Sequence, residues 1–115
     1  MIVGPEQPLV DGIVDYLKDT KVKIFGPNKA ASQLEGSKIF TKKLCKKYEI
    51  PTAKFGIFQN SADSKKFIET TNFPVVIKAD GLAAGKGVTI CRKKDQVLKV
   101  SSEIFKGKFK SSNKL

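Results

Sequence analysis

Along the first part of the chain the apolar positions keep helical spacing. Leu9, Val10, Ile13, Val14 and Leu17 recur on one side, with Asp11, Asp15, Lys18 and Asp19 on the other. The spacing predicts an amphipathic helix, and Pro8 suits its first turn because the missing amide has no partner there. On either side lie short β-prone runs, Met1-Ile2-Val3 and Val22-Lys23-Ile24-Phe25, stopped by Gly4-Pro5 and Gly26-Pro27. Strand, helix and strand in this order form a parallel α/β unit. Ligands of such sheets gather at the carboxyl ends of the strands, where Gly4-Pro5-Glu6 and Gly26-Pro27 lie. Opening residues that already read as the end of a buried strand predict that further chain precedes them in the whole protein.

Downstream, Asn28 is placed to cap a helix through Leu34, and Ser37 a second one to about Tyr48, with Phe40, Leu44 and Tyr48 four residues apart. Pro51 ends it. Residues 51–58 alternate loosely and predict a strand. Ser61 to Thr71 predicts a helix with Phe67 and Ile68 inward. Pro74 to Ala79 is a strong strand signal, apolar on both faces up to Lys78. A glycine-rich loop, Asp80 to Lys86, joins it to a second strand, Gly87 to Cys91, and the two should pair antiparallel as a hairpin. From Asp95 to about Lys106, a helix carries Val97, Leu98, Ser101, Ile104 and Phe105 on one stripe. The tail from Gly107 to Leu115 is polar and basic. The pattern is thus α/β, passing to α+β after a boundary near Ile50-Pro51, with no internal repeat.

Composition narrows the class. The chain has 115 residues, 40% of them hydrophobic, so it is globular and affords only a small core. The charge is lopsided: 22 basic residues against 11 acidic, formally +11, with Arg92 the only arginine. Lysines at 42, 43, 46, 47, 65 and 66 fall on solvated helix faces, and lysine lacks the planar fork with which arginine reads bases and phosphates. A basic enzyme of polyanionic substrates accounts for the excess; a small basic domain binding nucleic acid or an acidic protein surface is the competing reading. Cys45 and Cys91 show no CxxC spacing and there is no histidine, so they read as two reduced, buried thiols and not as a zinc site. No apolar run approaches membrane-spanning length and no basic, apolar leader opens the chain, so the expected setting is the cytoplasm, with no membrane partner.

The segment with most chemistry is Val75-Val76-Ile77-Lys78-Ala79-Asp80-Gly81-Leu82-Ala83-Ala84-Gly85-Lys86-Gly87-Val88. Small residues leave the loop amides open to phosphate oxygens, and Lys78 and Lys86 bracket it with positive charge. The loop is not a Walker A motif. Its first glycine comes one residue too late, Gly87 stands where a magnesium-holding Ser or Thr belongs, and a strand follows instead of a helix. A glycine-rich hairpin with incidental lysines would look the same from residue types alone.

This segment, with its KADGLAAGKGV wording, resembles the phosphate-covering hairpin of ATP-grasp enzymes in the glycinamide ribonucleotide synthetase family. Gly4-Pro5-Glu6-Gln7-Pro8-Leu9-Val10 and Gln33-Leu34-Glu35-Gly36-Ser37-Lys38 are similar to two further elements of that family, in the same order. Biotin carboxylases and carbamoyl phosphate synthetases share the architecture but are expected to carry a more glycine-dense loop. The resemblance extends to about Lys106. It implies the end of a Rossmann-like pre-ATP-grasp domain over residues 1–34, a linker helix over 35–50 that starts the ATP-grasp region, and an incomplete ATP-grasp lid subdomain over 51–115.

The resemblance also implies an activity. ATP phosphorylates glycine to glycyl phosphate, which the amine of 5-phosphoribosylamine attacks to give glycinamide ribonucleotide, in purine synthesis. An ATP-grasp ligase with another acceptor would share every feature named so far. Lys78 would contact the α- and β-phosphates, Lys38 would approach the nucleotide, and Gly81, Ala83, Ala84, Gly85 and Gly87 would let the loop fold over the triphosphate with Lys86 riding on it. Asp80 would cap the turn. Gly4, Pro5 and Glu6 would border the phosphoribosylamine and glycine site. Mg2+ or Mn2+ would accompany ATP, with its acidic and asparagine ligands beyond residue 115, so the stretch alone is expected not to turn over. No covalent nucleophile is required, and the lysines and metal act through position and charge.

Overall fold

Three helices begin at side chains that satisfy their first free amides. In the computed structural model the Ala31 amide donates to Asn28 Oδ1 at 2.8 Å, the Phe40 amide to Ser37 Oγ at 3.1 Å, and the Asp63 amide to Asn60 Oδ1 at 2.9 Å. These caps open α3 (Lys29–Gly36), α4 (Lys38–Lys47) and α5 (Ser61–Glu69). The structure describes residues 1–83 and 85–108. The chain divides into two units, Met1–Ile50 and Pro51–Leu115.

In the first unit the expected single helix is two short ones, α1 (Glu6–Asp11) and α2 (Ile13–Leu17). Gly12 between them has φ +99°, and its amide donates to the carbonyls of Pro8 and Leu9. A left-handed residue ends a helix, and apolar spacing alone does not reveal it. The close approach of the Lys29 stem, 3.1 Å from where a Cβ on Gly12 would lie, adds a reason for glycine. Asp15 Oδ2 accepts from the Lys29 amide at 2.6 Å and ties α2 to the start of α3. The two predicted strands meet in a single parallel bridge, Ile2 to Phe25, with the Phe25 amide donating to the Met1 carbonyl at 2.9 Å. Pairing goes no further because Gly4-Pro5 turns the chain and proline has no amide to donate.

The second unit is built on β1 (Val75–Lys78) and β2 (Val88–Cys91), antiparallel, with Val75 opposite Cys91 and Lys78 opposite Val88. α6 (Lys94–Phe105) covers one face of this pair, and α5 packs on α6. The buried cluster is Ile68, Ile77, Ala79, Cys91, Val97 and Ile104, with Phe73, Val75, Leu98 and Val100 packed around it. Residues 51–58 are not a strand. The sheet among the described residues has two strands, so the loose alternation of that segment finds no ladder to join. α5 stops at Glu69, and Phe67 is 43% exposed, not inward; its ring lies against Phe58, with centroids 5.1 Å apart. Cys45 is only half-buried, whereas Cys91 is fully buried, and burial pushes its thiol pKa up. The basic tail past Lys108 lies outside the described residues.

Candidate functional site

Side chains alternate across a strand, so the register sorts the hairpin into two faces. Val75, Ile77 and Cys91 point to the core. Val76 and Lys78 on β1 share the other face with their partners Ile90 and Val88 on β2. This second face is open: Val76 is 51% exposed, Val88 45% and Ile90 61%. The run Val75-Val76-Ile77 is therefore apolar on both sides but buried on one only. An apolar patch next to an ammonium group suits a ligand that is flat and apolar at one end and anionic at the other. Val76, Val88 and Ile90 are the residues that sequence reasoning misses. The signal for them is the alternation itself, legible once the partner register is known.

The loop begins where Ala79 extends the ladder, its amide donating to the Gly87 carbonyl at 2.8 Å. The Lys86 amide then donates to the Ala83 carbonyl at 2.8 Å, closing a four-residue turn with Gly85 third at φ +75°. A positive φ at that place favours glycine, which has no Cβ to clash. Gly81, at φ +84°, makes a second such bend. The Lys86 amide, and the Ala79 amide at the strand end, are thus committed to holding the loop's shape. Ala84, between them in sequence, lies outside the described residues.

The two lysines that bracket the loop do not share a face. Lys78 stands on the open face, whereas Lys86 lines a shallow hollow on the α6 side with Thr89, Val100, Glu103, Ile104 and Lys108. Lys108 Nζ donates to Glu103 Oε2, and this hydrogen bond, with the charge behind it, holds the Glu103 carboxyl below the usual carboxylate range. Residue spacing cannot show this separation, because the side of the sheet that Lys86 takes depends on the turn.

In the first unit, Lys38 is the first residue of α4, beside the Ser37 cap. The first turn of α4 contains no acidic residue, so the amino end of the helix dipole and the lysine add their positive charge. Gly4, Pro5 and Glu6 are exposed at the start of α1, with Pro5 at its N-cap position. Among the described residues, no three Cys, Asp or Glu side chains come together in a way that could hold a metal ion. No described helix is long and apolar enough to cross a membrane.

Comparison with known proteins decides the family. The model for the phosphoribosylglycinamide synthetase ATP-grasp (A) domain matches residues 36–115, and that for the N domain of the same enzyme matches residues 1–35. The chain belongs to the phosphoribosylglycinamide synthetase family. It is 51% identical over 109 residues to the phosphoribosylamine–glycine ligase of Mesorhizobium japonicum, covering 95% of this chain and 26% of that protein. The crystal structure of phosphoribosylamine–glycine ligase from Thermotoga maritima superposes with a TM-score of 0.76 at 33% identity, covering 92% of this chain and 25% of that one. The biotin carboxylase domain of 2-oxoglutarate carboxylase from Hydrogenobacter thermophilus, solved with ADP and magnesium, superposes with a TM-score of 0.77. At 19% identity, with 98% of this chain and 26% of that one covered, it shares the fold alone. The chain spans about a quarter of the length of the curated relatives it matches.

Proposed function

We propose that this chain carries part of the nucleotide grip of an ATP-dependent ligase that joins glycine to 5-phosphoribosylamine through glycyl phosphate, giving glycinamide ribonucleotide. Residues 1–34 serve as the end of the pre-ATP-grasp domain, 35–50 as the linker helix, and residues from 51 onward as the lid subdomain. The activity belongs to a longer protein acting in the cytoplasm on small molecules and not on nucleic acid, and the stretch of 115 residues does not turn over by itself. Family membership and the relatives named phosphoribosylamine–glycine ligase support this reading.

The observation that carries it is the open face of the hairpin. Lys78 stands beside Val76, Val88 and Ile90, so one ammonium meets the α- and β-phosphates while the apolar patch takes the base. Gly81, Ala83, Ala84, Gly85 and Gly87 let the loop cover the triphosphate, and covering it excludes water from the reacting phosphate. Lys86 reaches the nucleotide only when the loop carries it away from the α6 side. Lys38 adds charge from the amino end of α4, and Gly4, Pro5 and Glu6 border the acceptor site. Magnesium or manganese, when bound, neutralises phosphate charge. None of the site residues named in this chain is assigned to hold that metal; the ADP and magnesium bound by the structural neighbour support a metal–nucleotide requirement in general.

The test is Lys78→Ala in the complete ligase. Loss of one charge-assisted phosphate contact is expected to weaken ATP binding by roughly 1.5–3 kcal/mol, read by titration calorimetry, with Lys65→Ala as a control that leaves it unchanged. ATP affinity that survives Lys78→Ala would sink the assignment.

A further inference from the structure

Two loop glycines are glycine for different physical reasons. Gly85 has a left-handed backbone, and nothing lies within 4 Å of where its Cβ would be. Gly87 is the reverse. Its backbone lies outside the left-handed range, so an alanine could adopt it, but it is buried and a Cβ there would lie 2.7 Å from the Ala83 Cβ and 3.4 Å from the Ala79 Cβ. A separation of 2.7 Å is well inside carbon–carbon contact, so one of the two chains must shift.

We infer that Gly87 is a positioning residue that seats the glycine-rich loop: its missing side chain is the socket into which the Ala83 methyl folds, and this contact sets where the loop rests at the base of the hairpin. Two observations mark Ala83 as the partner that must yield, and a third says what its displacement would do. Ala79 is fully buried in the core and bonded through its amide to the Gly87 carbonyl, so it is fixed. Ala83 lies on the loop, outside the ladder. The Ala83 carbonyl holds the Lys86 amide at 2.8 Å, so displacing Ala83 also opens the turn that carries Lys86. A methyl added at Gly87 therefore acts at a distance from its own site, on the position of Lys86, without altering any charge. The consequence for ATP rests on the nucleotide reading given above; the seat itself does not.

Amide hydrogen exchange by NMR on the full chain, with and without MgATP, separates the two. In Gly87→Ala the Lys86 amide is expected to lose protection by about tenfold or more, while the Ile77 and Ile104 amides in the core keep theirs. Gly85→Ala, strained but unobstructed, is the contrasting variant. The decisive variant is the double substitution Ala83→Gly with Gly87→Ala, which moves the methyl across the contact and is expected to recover most of the Lys86 protection. Unchanged Lys86 exchange in Gly87→Ala, or a double variant no better than the single, overturns the seat. In the MgATP arm, Gly87→Ala is expected to weaken binding several-fold, with partial recovery in the double variant. If the parent chain shows no ATP response, the nucleotide reading fails and the exchange arm still decides the seat.

Discussion

The two units bury their apolar side chains very differently. In the second, six hydrophobic residues from α5, the hairpin and α6 form one cluster, with Ile104 1% exposed and Val97 3%. In the first, the described residues that are fully buried are Gly12 and Ser32, while Ile2, Tyr16 and Phe25 are 82%, 83% and 79% exposed. The first unit combines half-buried packing, with Val10 against Gly36 and Leu9 and Val14 against Gly26, with directed polar contacts: the caps at Asn28 and Ser37, the Asp15 bond to the Lys29 amide and the single bridge at Phe25. Packing and capping are different ways of making an element stand. Apolar burial contributes several kcal/mol per large side chain, whereas a cap contributes about one.

Substitutions can break or sharpen that contrast. The largest expected effect is Ile104→Ala, which leaves a cavity under the hairpin and is expected to destabilise the second unit by about 2–5 kcal/mol. Val10→Ala, at a half-buried position in the first unit, is expected to do no more than about 1 kcal/mol. Urea unfolding, followed separately by amides of each unit, reads both; equal losses would erase the distinction. Next comes Ser37→Ala, which removes the α4 cap and is expected to lower the local stability of α4 by about 1 kcal/mol, seen as faster exchange of the Phe40 amide.

The smallest expected effect concerns Glu103. Its folded carboxyl is held below the unfolded value of about 4.3, so the contribution is present above that pH and is lost as pH falls through the folded value. A pH series of unfolding midpoints should show this acid-side decline in the wild type and a flatter one in Glu103→Gln, with the first unit unaffected. Identical profiles would mean that the Lys108 contact contributes nothing in solution.

The same contrast explains what the sequence reveals. Caps are local, so Asn28 and Ser37 announce α3 and α4 to the residue. The hairpin is also legible, because β-branched runs flank a glycine-rich loop. Gly12 is not: its neighbours keep helical spacing, and only the positive φ shows that the helix is broken there. Nor is the segment over residues 51–58, since a strand needs a partner that alternation cannot supply. Phe67 follows the helical stripe yet remains 43% exposed, because its contact is the Phe58 ring and not the core. In the candidate site, the lysines and glycines are visible as residue types. The open apolar face of Val76, Val88 and Ile90, and the position of Lys86 on the α6 side, arise from register and turn geometry, which composition does not encode.

The most direct measurement of the central claim is a titration of MgATP into the isotope-labelled chain at moderate salt, followed amide by amide. Shifts concentrated between Val76 and Ile90 and lost in Lys78→Ala are expected. Shifts spread over the lysines of α4 and α5 and abolished by added salt, with the hairpin amides unmoved, would contradict it by making the basic charge, and not the hairpin, the ligand's partner.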